Sequence, residues 1–466
     1  MSATPTHPVV DQPRLTVVGT GYLGATHAVC MAILGYDVLG VDVDEDKVAL
    51  LNSGVVPFFE PGLPEKLREA LGSGRLRFTT DLDEAAAFGD VHFICVGTPQ
   101  APGSAAADMT FVDSAFSDLA RRITGRSLLV GKSTVPIGTA ARLTELVQSV
   151  SPAGTDLEVA WNPEFLREGF AVKDTLHPDR LVFGVESEWA QAQLAAAYTP
   201  ILAEGTPLVV GDLATSELVK VAANSFLATK ISFINAMAEV CEATGADVNL
   251  LAQALSLDSR IGGRFLKPGL GFGGGCLPKD IRAFAHRADE LGVGQATAFL
   301  REVDGINNRR RTRAVDLLRE LVGGDLRGAR IACLGAAFKP DSDDVRDAPA
   351  LHVAQLLHDE GALVTVYDPE ANDSARRKFP DLSYADSTDQ AVSGADAVAL
   401  LTEWQEFRDA DPASLGALVA HRRLLDARHA LDADAYRAAG WEVRALGRPA
   451  ASPTVALVSD AQDQRA

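Results

Sequence analysis

From residue 14 to about 210, short apolar runs punctuated by glycine alternate with helical stretches: RLTVVG, DVLGVDVD, VHFICVGTP, SLLVGKSTVP and LEVAWNPEF. Strand-length apolar runs separated by helices predict βαβ units in a parallel sheet. After Asp212 the rhythm changes, and TSELVKVAANSFLATKISFINAMAEVCEATG reads as one long helix stopped by Gly245. A second helical stretch, roughly 295–322, runs into GGDLRG. From Arg330 the strand and helix rhythm returns with RIACLG, LVTVYDP, DAVALLTEW and RRLLDAR. The expected fold is α/β, with two doubly wound domains, 14–212 and 323–450, joined by a helical middle domain, 213–322, that contains the long central helix. The segments 1–13 and 451–466 are rich in Pro, Ala, Ser and Asp without periodicity and read as disordered tails.

Composition narrows the function. With 47% hydrophobic and 23% charged residues over 466 positions, the chain has the make-up of a folded protein of two or three domains. Its net charge of −20 argues against nucleic acid as a partner, and an anionic small ligand must be met by local cations and helix N-termini. No apolar run reaches bilayer-spanning length and the N-terminal MSATPTHPVVDQP lacks a signal-peptide pattern, so no membrane partner and a cytoplasmic protein are expected. Five scattered cysteines without CxxC spacing point to reduced thiols, with no metal site.

The first apolar run leads into Gly19-Thr20-Gly21-Tyr22-Leu23-Gly24, followed by the small-residue helix ATHAVCMAILG. In this strand, turn and helix context GxGxxG is the dinucleotide fingerprint of a Rossmann-like domain. Gly19 makes the tight turn, Gly21 admits the pyrophosphate, Gly24 lets helix and strand approach, and the helix N-terminus supplies amide donors. The second strand delivers Asp42, placed to accept both ribose hydroxyls. NAD is favoured over NADP, since Asp42, Asp44, Glu45 and Asp46 face any 2′-phosphate with Lys47 the sole compensating cation there.

The run Phe265-Leu-Lys-Pro-Gly-Leu-Gly-Phe-Gly-Gly-Gly-Cys276-Leu-Pro-Lys-Asp280 packs five glycines into seven residues before a helix start at LPKDIRAFAHR. A helix N-terminus and Lys279 both favour the Cys276 thiolate, making it a credible nucleophile. Asp280 falls four residues on, on the same face, where it could orient a water. Lys220 and Asn224 have the same spacing on the central helix. Glu164 and Glu168 repeat it after a strand, with Asn162-Pro163 read as turn and helix start. Cys30, Cys95, Cys241 and Cys333 sit in ordinary core contexts.

These pieces, in this order, resemble the UDP-glucose 6-dehydrogenase family from about residue 14 to 445. The matching motifs are GTGYLG, the strand ending at Asp42, FICVGTP, GKSTVP, WNPEFLREG with HPDRLVFG, the Lys220/Asn224 helix, FLKPGLGFGGGCLPKD, AFKPDSDDVRDAP and LLDAR. The resemblance implies a four-electron oxidation of UDP-glucose to UDP-glucuronate by two NAD molecules in turn. In it Cys276 carries a thiohemiacetal and then a thioester. Lys220, Asn224 and a water held by Asp280 surround the departing proton, and water assisted by Glu164 or Asp280 releases the acid.

The resemblance also implies an active-site role for Thr134, and contacts to the cofactor from Tyr22, Leu23, Lys47, Thr98, Thr134, Glu168 and Arg346. It puts Glu164, Phe165, Leu166, Glu168, Phe265, Lys267, Gly273, Lys339 and Arg428 at the nucleotide sugar, with Arg260 reaching it from a neighbouring subunit of a homodimer built through the middle domain. The terminal domains would hold NAD and the UDP-sugar. KDTLHPDR departs at Thr175 or Leu176 from aromatic residues common in relatives. TEWQEF favours the UDP-glucose branch. The same machinery leaves dTDP-glucose, GDP-mannose and UDP-N-acetylhexosamines as alternative substrates. A two-electron enzyme of the 6-phosphogluconate type would have no use for Cys276, and an NAD sensor or scaffold none for GFGGGCLPKD.

Overall fold

Eight short strands form the first sheet: β1 (Leu15–Val18), β2 (Val38–Val41), β3 (Leu76–Thr79), β4 (Val91–Ile94), β5 (Ser127–Gly131), β6 (Leu157–Trp161), β7 (Leu181–Gly184) and β8 (Leu208–Gly211). They lie in the order β3-β2-β1-β4-β5-β6-β7-β8, parallel throughout except where β6 meets β7 through Trp161 and Gly184. Both faces are apolar because both are covered. Leu15, Val17, Phe93, Val130 and Phe183 fill one side, while Val18, Ile94, Leu129, Phe116 and Trp161 fill the other. Strand order reverses between β1 and β4, which opens a crevice at their C-terminal ends.

The computed structural model describes residues 12–449, so the tails expected at 1–13 and 451–466 lie outside the described residues except for Gln12 and Pro13. The second sheet comprises β9 (Arg330–Leu334), β10 (Leu363–Tyr367), β11 (Ser383–Tyr384), β12 (Ala397–Leu400), β13 (Arg423–Asp426) and β14 (Glu442–Ala445). Its order is β11-β10-β9-β12-β13-β14, all parallel, so it repeats the plan of the first six strands of the other sheet.

The helices that position the candidate site residues are α1 (Tyr22–Ile33), α2 (Thr139–Val150), α3 (Leu213–Thr244), α4 (Leu277–Glu290) and α5 (Phe299–Leu321). As the sequence predicts, α3 stops at Gly245, whose φ of +78° is left-handed, and α4 begins beside Pro278. The chain forms two compact units. One comprises the chain up to Ala228 with Gly273–Asp304 and Ala337–Asp347. The other comprises Thr229–Phe272, Gly305–Ala336 and the chain from Ala348.

One local expectation fails. Asn162-Pro163 does not open a helix: residues 162–170 are irregular, and the next helical turn starts at Ala171. The backbone is pinned by longer-range bonds instead. Asn162 N–H donates to Gly131 O at 2.9 Å, and the Glu60 carboxylate accepts from Gly169 N and Ala171 N, each at 2.7 Å. Glu164 and Glu168 therefore do not share a helix face.

Glu217, in the second turn of α3, is buried and caps α2. Its carboxylate accepts from Gly138 N at 2.7 Å and Ala140 N at 2.6 Å, where the N-cap residue Gly138 has no side chain to do so. Burial pushes Glu217 up to about 7, opposed by these amides and by Arg287. A carboxyl whose folded value lies above the unfolded 4.5 contributes stability in full below that pH and loses it as pH rises through about 7. The stability of the native protein minus that of Glu217→Gln should therefore fall between pH 5 and pH 8, by about 3 kcal/mol at most. Urea unfolding of both proteins across that range is the check, and a difference that stays level or grows with pH contradicts it.

Candidate active site

The β1 turn has the geometry of a dinucleotide site. Gly19 holds a φ of +87° and donates to Val41 O at 2.8 Å, while a side chain at Gly24 would strike the Gly19 carbonyl. A Cβ at Gly21 would meet nothing within 4 Å, and no side chain caps α1, so backbone amides face open space there. Asp42 directly follows β2, with its carboxylate fixed by Thr20 N at 2.8 Å, Thr20 Oγ1 at 3.0 Å and Lys47 Nζ at 2.9 Å. Burial would raise its pKa, but Lys47 and the Thr20 and Asp44 amides outweigh this and hold it below the ordinary value. An open glycine, an uncapped helix start and an ionised carboxylate fit NAD.

Tyr22 and Leu23 are less direct. The Tyr22 hydroxyl donates to Glu60 and accepts from Gly169 N at 3.1 Å, and Leu23 packs against the core. Glu60 thus ties the cofactor turn to the 162–170 segment. Sequence reasoning missed it, because a lone glutamate in FFEPGL carries no pattern.

Cys276 is the N-cap residue of α4 and is exposed, whereas the other four cysteines are buried. The glycines before it are framed by residues 338–346. Gly274 N donates to Arg346 O at 2.9 Å and Gly275 N to Asp344 at 3.3 Å, and side chains at these two glycines would meet Phe338 and Arg346. Burial raises Cys30, Cys95 and Cys333 to about 12. Cys276 is also raised, which reverses the expected thiolate. Although the residue presents surface to solvent, the protein packed around it desolvates the thiol, and Asp280 and Glu168 push the same way against Lys220 and Lys279. The helix end and Lys279, the two features visible in the local sequence, are outweighed by burial and two carboxylates.

One turn along α4 from Cys276, Asp280 is buried with a bond on each oxygen: Asn224 Nδ2 donates to Oδ2 and Lys279 Nζ to Oδ1, both at 2.6 Å. Lys279 also reaches Thr98 Oγ1 at 3.3 Å, and Thr98 donates to Thr134 O at 2.9 Å. Thr134, Lys279, Asp280 and Val221 line one cavity. The Lys220 ammonium lies 5.3 Å from the centre of the Phe165 ring, whose neighbour Arg180 stands 3.8 Å away.

The two glutamates part company. Glu164 accepts from Leu166 N and lies 3.7 Å from Lys132 Nζ. Glu168 sits with Ser342 Oγ at 3.1 Å and Arg346 at 3.3 Å, and its carbonyl accepts from Lys339. Burial and Asp344 push Glu168 up to about 7 against Arg346 and Lys339, while burial lowers Lys339. Gly273 is buried at the head of the cysteine loop.

The remaining expected residues belong to the other unit. Phe265, at a φ of +64°, and Lys267 are exposed, and Arg260 is exposed and paired to Asp258. Arg428, after β13, is held by Leu401 O at 2.6 Å and Gly271 O at 3.2 Å.

Three family models cover nearly all of the described chain: the NAD binding domain of the UDP-glucose/GDP-mannose dehydrogenase family over residues 13–202, its central domain over 214–309 and its UDP binding domain over 332–433. The UDP-glucose 6-dehydrogenase of Rhizobium meliloti (strain 1021) is 41% identical over 94% of this chain and 100% of its own. TuaD, a UDP-glucose 6-dehydrogenase of Bacillus subtilis (strain 168), is 38% identical over 95% and 94%. The solved UDP-glucose dehydrogenase of the hyperthermophilic archaeon Pyrobaculum islandicum superposes with a TM-score of 0.85 at 37% identity, covering 94% of this chain and 98% of that one. The chain belongs to the UDP-glucose/GDP-mannose dehydrogenase family and carries its NAD binding domain.

Proposed function

We propose that this protein oxidises the C6 alcohol of UDP-glucose to the carboxylate of UDP-glucuronate, consuming two NAD and one water. The observation that carries the reading is an exposed cysteine at the start of α4, one helical turn from an Asp280–Asn224 pair and within the field of Lys220, in the unit that holds the dinucleotide turn. NAD, when bound, accepts a hydride from C6 once in each oxidation. Everything else falls to the chain.

A water bound near Asp280 and Asn224 takes the hydroxyl proton, and the Lys220 cation stabilises the oxygen as charge develops. Because the resting thiol is raised, Cys276 gives up its proton as it adds to the aldehyde carbon, forming the thiohemiacetal. The second oxidation leaves a thioester on Cys276. Asp280 has both oxygens occupied by Asn224 and Lys279, which suits it to positioning. Glu164 has one oxygen on Leu166 N, and its other oxygen meets Lys132 Nζ at 3.7 Å, a looser hold than the two short bonds on Asp280, so we assign the hydrolytic base to Glu164.

Thr98 and Thr134 would shape the nicotinamide side of the cavity. Glu168, Lys339 and Arg346 would bridge cofactor and sugar, and Lys267, Phe265 and Arg428 would meet the nucleotide, in keeping with the family's UDP binding domain. The segments 14–212, 213–322 and 323–450 serve in this reading as cofactor, central and nucleotide-sugar modules. No helix among the described residues is long and apolar enough to cross a membrane, and five unpaired cysteines suit a reducing cytoplasm. The native enzyme should release two NADH per UDP-glucose, and Cys276→Ala and Cys276→Ser should form no acid while binding NAD as before. Absorbance counting, chromatography of the sugar product and calorimetry test this. One NADH per sugar, or acid from both variants, refutes it.

We also propose a homodimer built on α3, with Arg260 completing the partner's site. Leu218, Phe226, Phe233 and Val240 recur at intervals of eight, seven and seven on this helix, and all four are exposed. A stripe with two solvent-facing phenylalanines fits a surface covered by a second copy. Phe226→Asp combined with Phe233→Asp should yield monomers by light scattering, and an unchanged mass rejects the stripe as the interface.

A further inference from the structure

Lys132 follows β5 directly and its side chain is only 4% exposed. Its ammonium donates to Asn162 Oδ1 at 2.9 Å and to the Tyr198 hydroxyl at 3.1 Å, and the Glu164 carboxylate stands at 3.7 Å. The rings of Phe93 and Tyr198 flank it at 5.8 Å and 5.7 Å. A cation buried this deeply is costly unless paired. Burial pulls the ammonium down, but Tyr198, Glu164 and Cys95 outweigh it and hold Lys132 above its ordinary value. Nearby His27 goes the other way, held well below its ordinary value by burial and by the Lys132 charge. The site thus keeps one fixed positive charge, facing one carboxylate.

That charge is not needed to satisfy the surrounding frame. The Tyr198 hydroxyl donates to Asn162 Oδ1 at 2.6 Å, Asn162 Nδ2 donates to Val182 O at 3.0 Å, and Asn162 N is already bonded to Gly131 O. Asn162 and Tyr198 hold each other whether or not an ammonium is present. What the ammonium adds is a direction for Glu164, whose other oxygen is fixed by Leu166 N.

We propose that Lys132 is a positioning residue for the hydrolytic half of the reaction, a fixed cation that holds the Glu164 carboxylate where it accepts the proton of the attacking water. The inference rests on the functional reading above. In the step concerned, the water oxygen bonds to the thioester carbon and its proton passes to Glu164. The carbon–sulfur bond breaks with its electron pair remaining on Cys276 Sγ. Neither oxidation uses Glu164, so loss of Lys132 should separate the phases: C6 is oxidised twice at close to the native rate, and acid is released slowly.

The test uses the full chain carrying Lys132→Met, which is close in volume and leaves the Asn162–Tyr198 frame satisfied. Rapid mixing with UDP-glucose and excess NAD should give a burst of two NADH per site at near-native rate. Turnover should then be lowered on the order of 10²-fold, as for loss of a general base, with the acyl adduct on Cys276 accumulating by intact mass. Parallel loss of burst and turnover, or native turnover, overturns the proposal. Failure of the functional reading shows instead in the native enzyme, as one NADH per sugar. Should Lys132→Met fail to fold, Tyr198→Phe keeps the cation but removes a tether. It should show a smaller split in the same direction, and equal loss in both phases or native turnover overturns the idea.

Discussion

The bond from Asn224 to the buried Asp280 carboxylate fixes the start of α4 and with it the place of Cys276. A carboxylate taken out of water must be partnered, and Asp280 finds its partners on two sides, Asn224 from α3 and Lys279 from its own helix. Asp280 N also closes the first turn of α4 onto the Cys276 carbonyl at 2.9 Å, so holding the carboxylate holds the sulfur one turn away. On α3 the residues at 217, 220 and 224 follow helical spacing along one face. One buttresses the loop that carries Thr134, one supplies a cation and one grips Asp280. A single helix thereby sets the cap, the charge and the scaffold together.

An acidic chain that handles a diphosphate must keep its cations in fixed places. Several here are escorted. Lys47 lies against Asp42, Lys279 against Asp280, and Arg346 is held charged by Asp344 and Glu168 against the pull of burial. Escorting carboxylates cost some attraction for an anion. In return, long flexible side chains are already immobilised, so less conformational entropy remains to be lost when a ligand arrives.

Much of this was legible in the sequence where local patterns suffice. Glycine spacing marked the β1 turn, Gly245 ended α3, and Pro278 with the glycine run placed Cys276 at a helix start. What local pattern hid was anything held by distant partners. Glu164 and Glu168 suggested a helix face, and Asn162, Glu60 and Gly169 pull that segment into an irregular path. Lys132 stood in plain view within GKSTVP, but its meaning needs Tyr198 and Asn162, 66 and 30 residues away. The raised Cys276 thiol is hidden in the same way, since the burial that chiefly raises it comes from chain packed around the sulfur, with Asp280 and the distant Glu168 adding to it. Short strands such as β3 and the exposed edge β8 gave too little apolar signal to mark in advance.

The two sheets share a plan, yet only one has the makings of a dinucleotide site, and the difference lies in a few atoms. Gly335 after β9 donates to Tyr367 O at 2.7 Å, and Ala336 N donates to Asp368 at 2.7 Å, just as Gly19 and Thr20 bond Val41 and Asp42. In the first sheet that turn runs straight into α1, whose uncapped amides await phosphate. In the second, the next helix starts only at Pro349, so no row of amides points out of the turn. Asp368 is occupied as well, accepting from Glu370 N, Ala371 N and the Trp404 indole, where Asp42, also buried, is met by the partly exposed Lys47. An immediate helix start leaves open amides beside the turn in one sheet, and a delayed one leaves the same backbone turn bracing a tryptophan in the other.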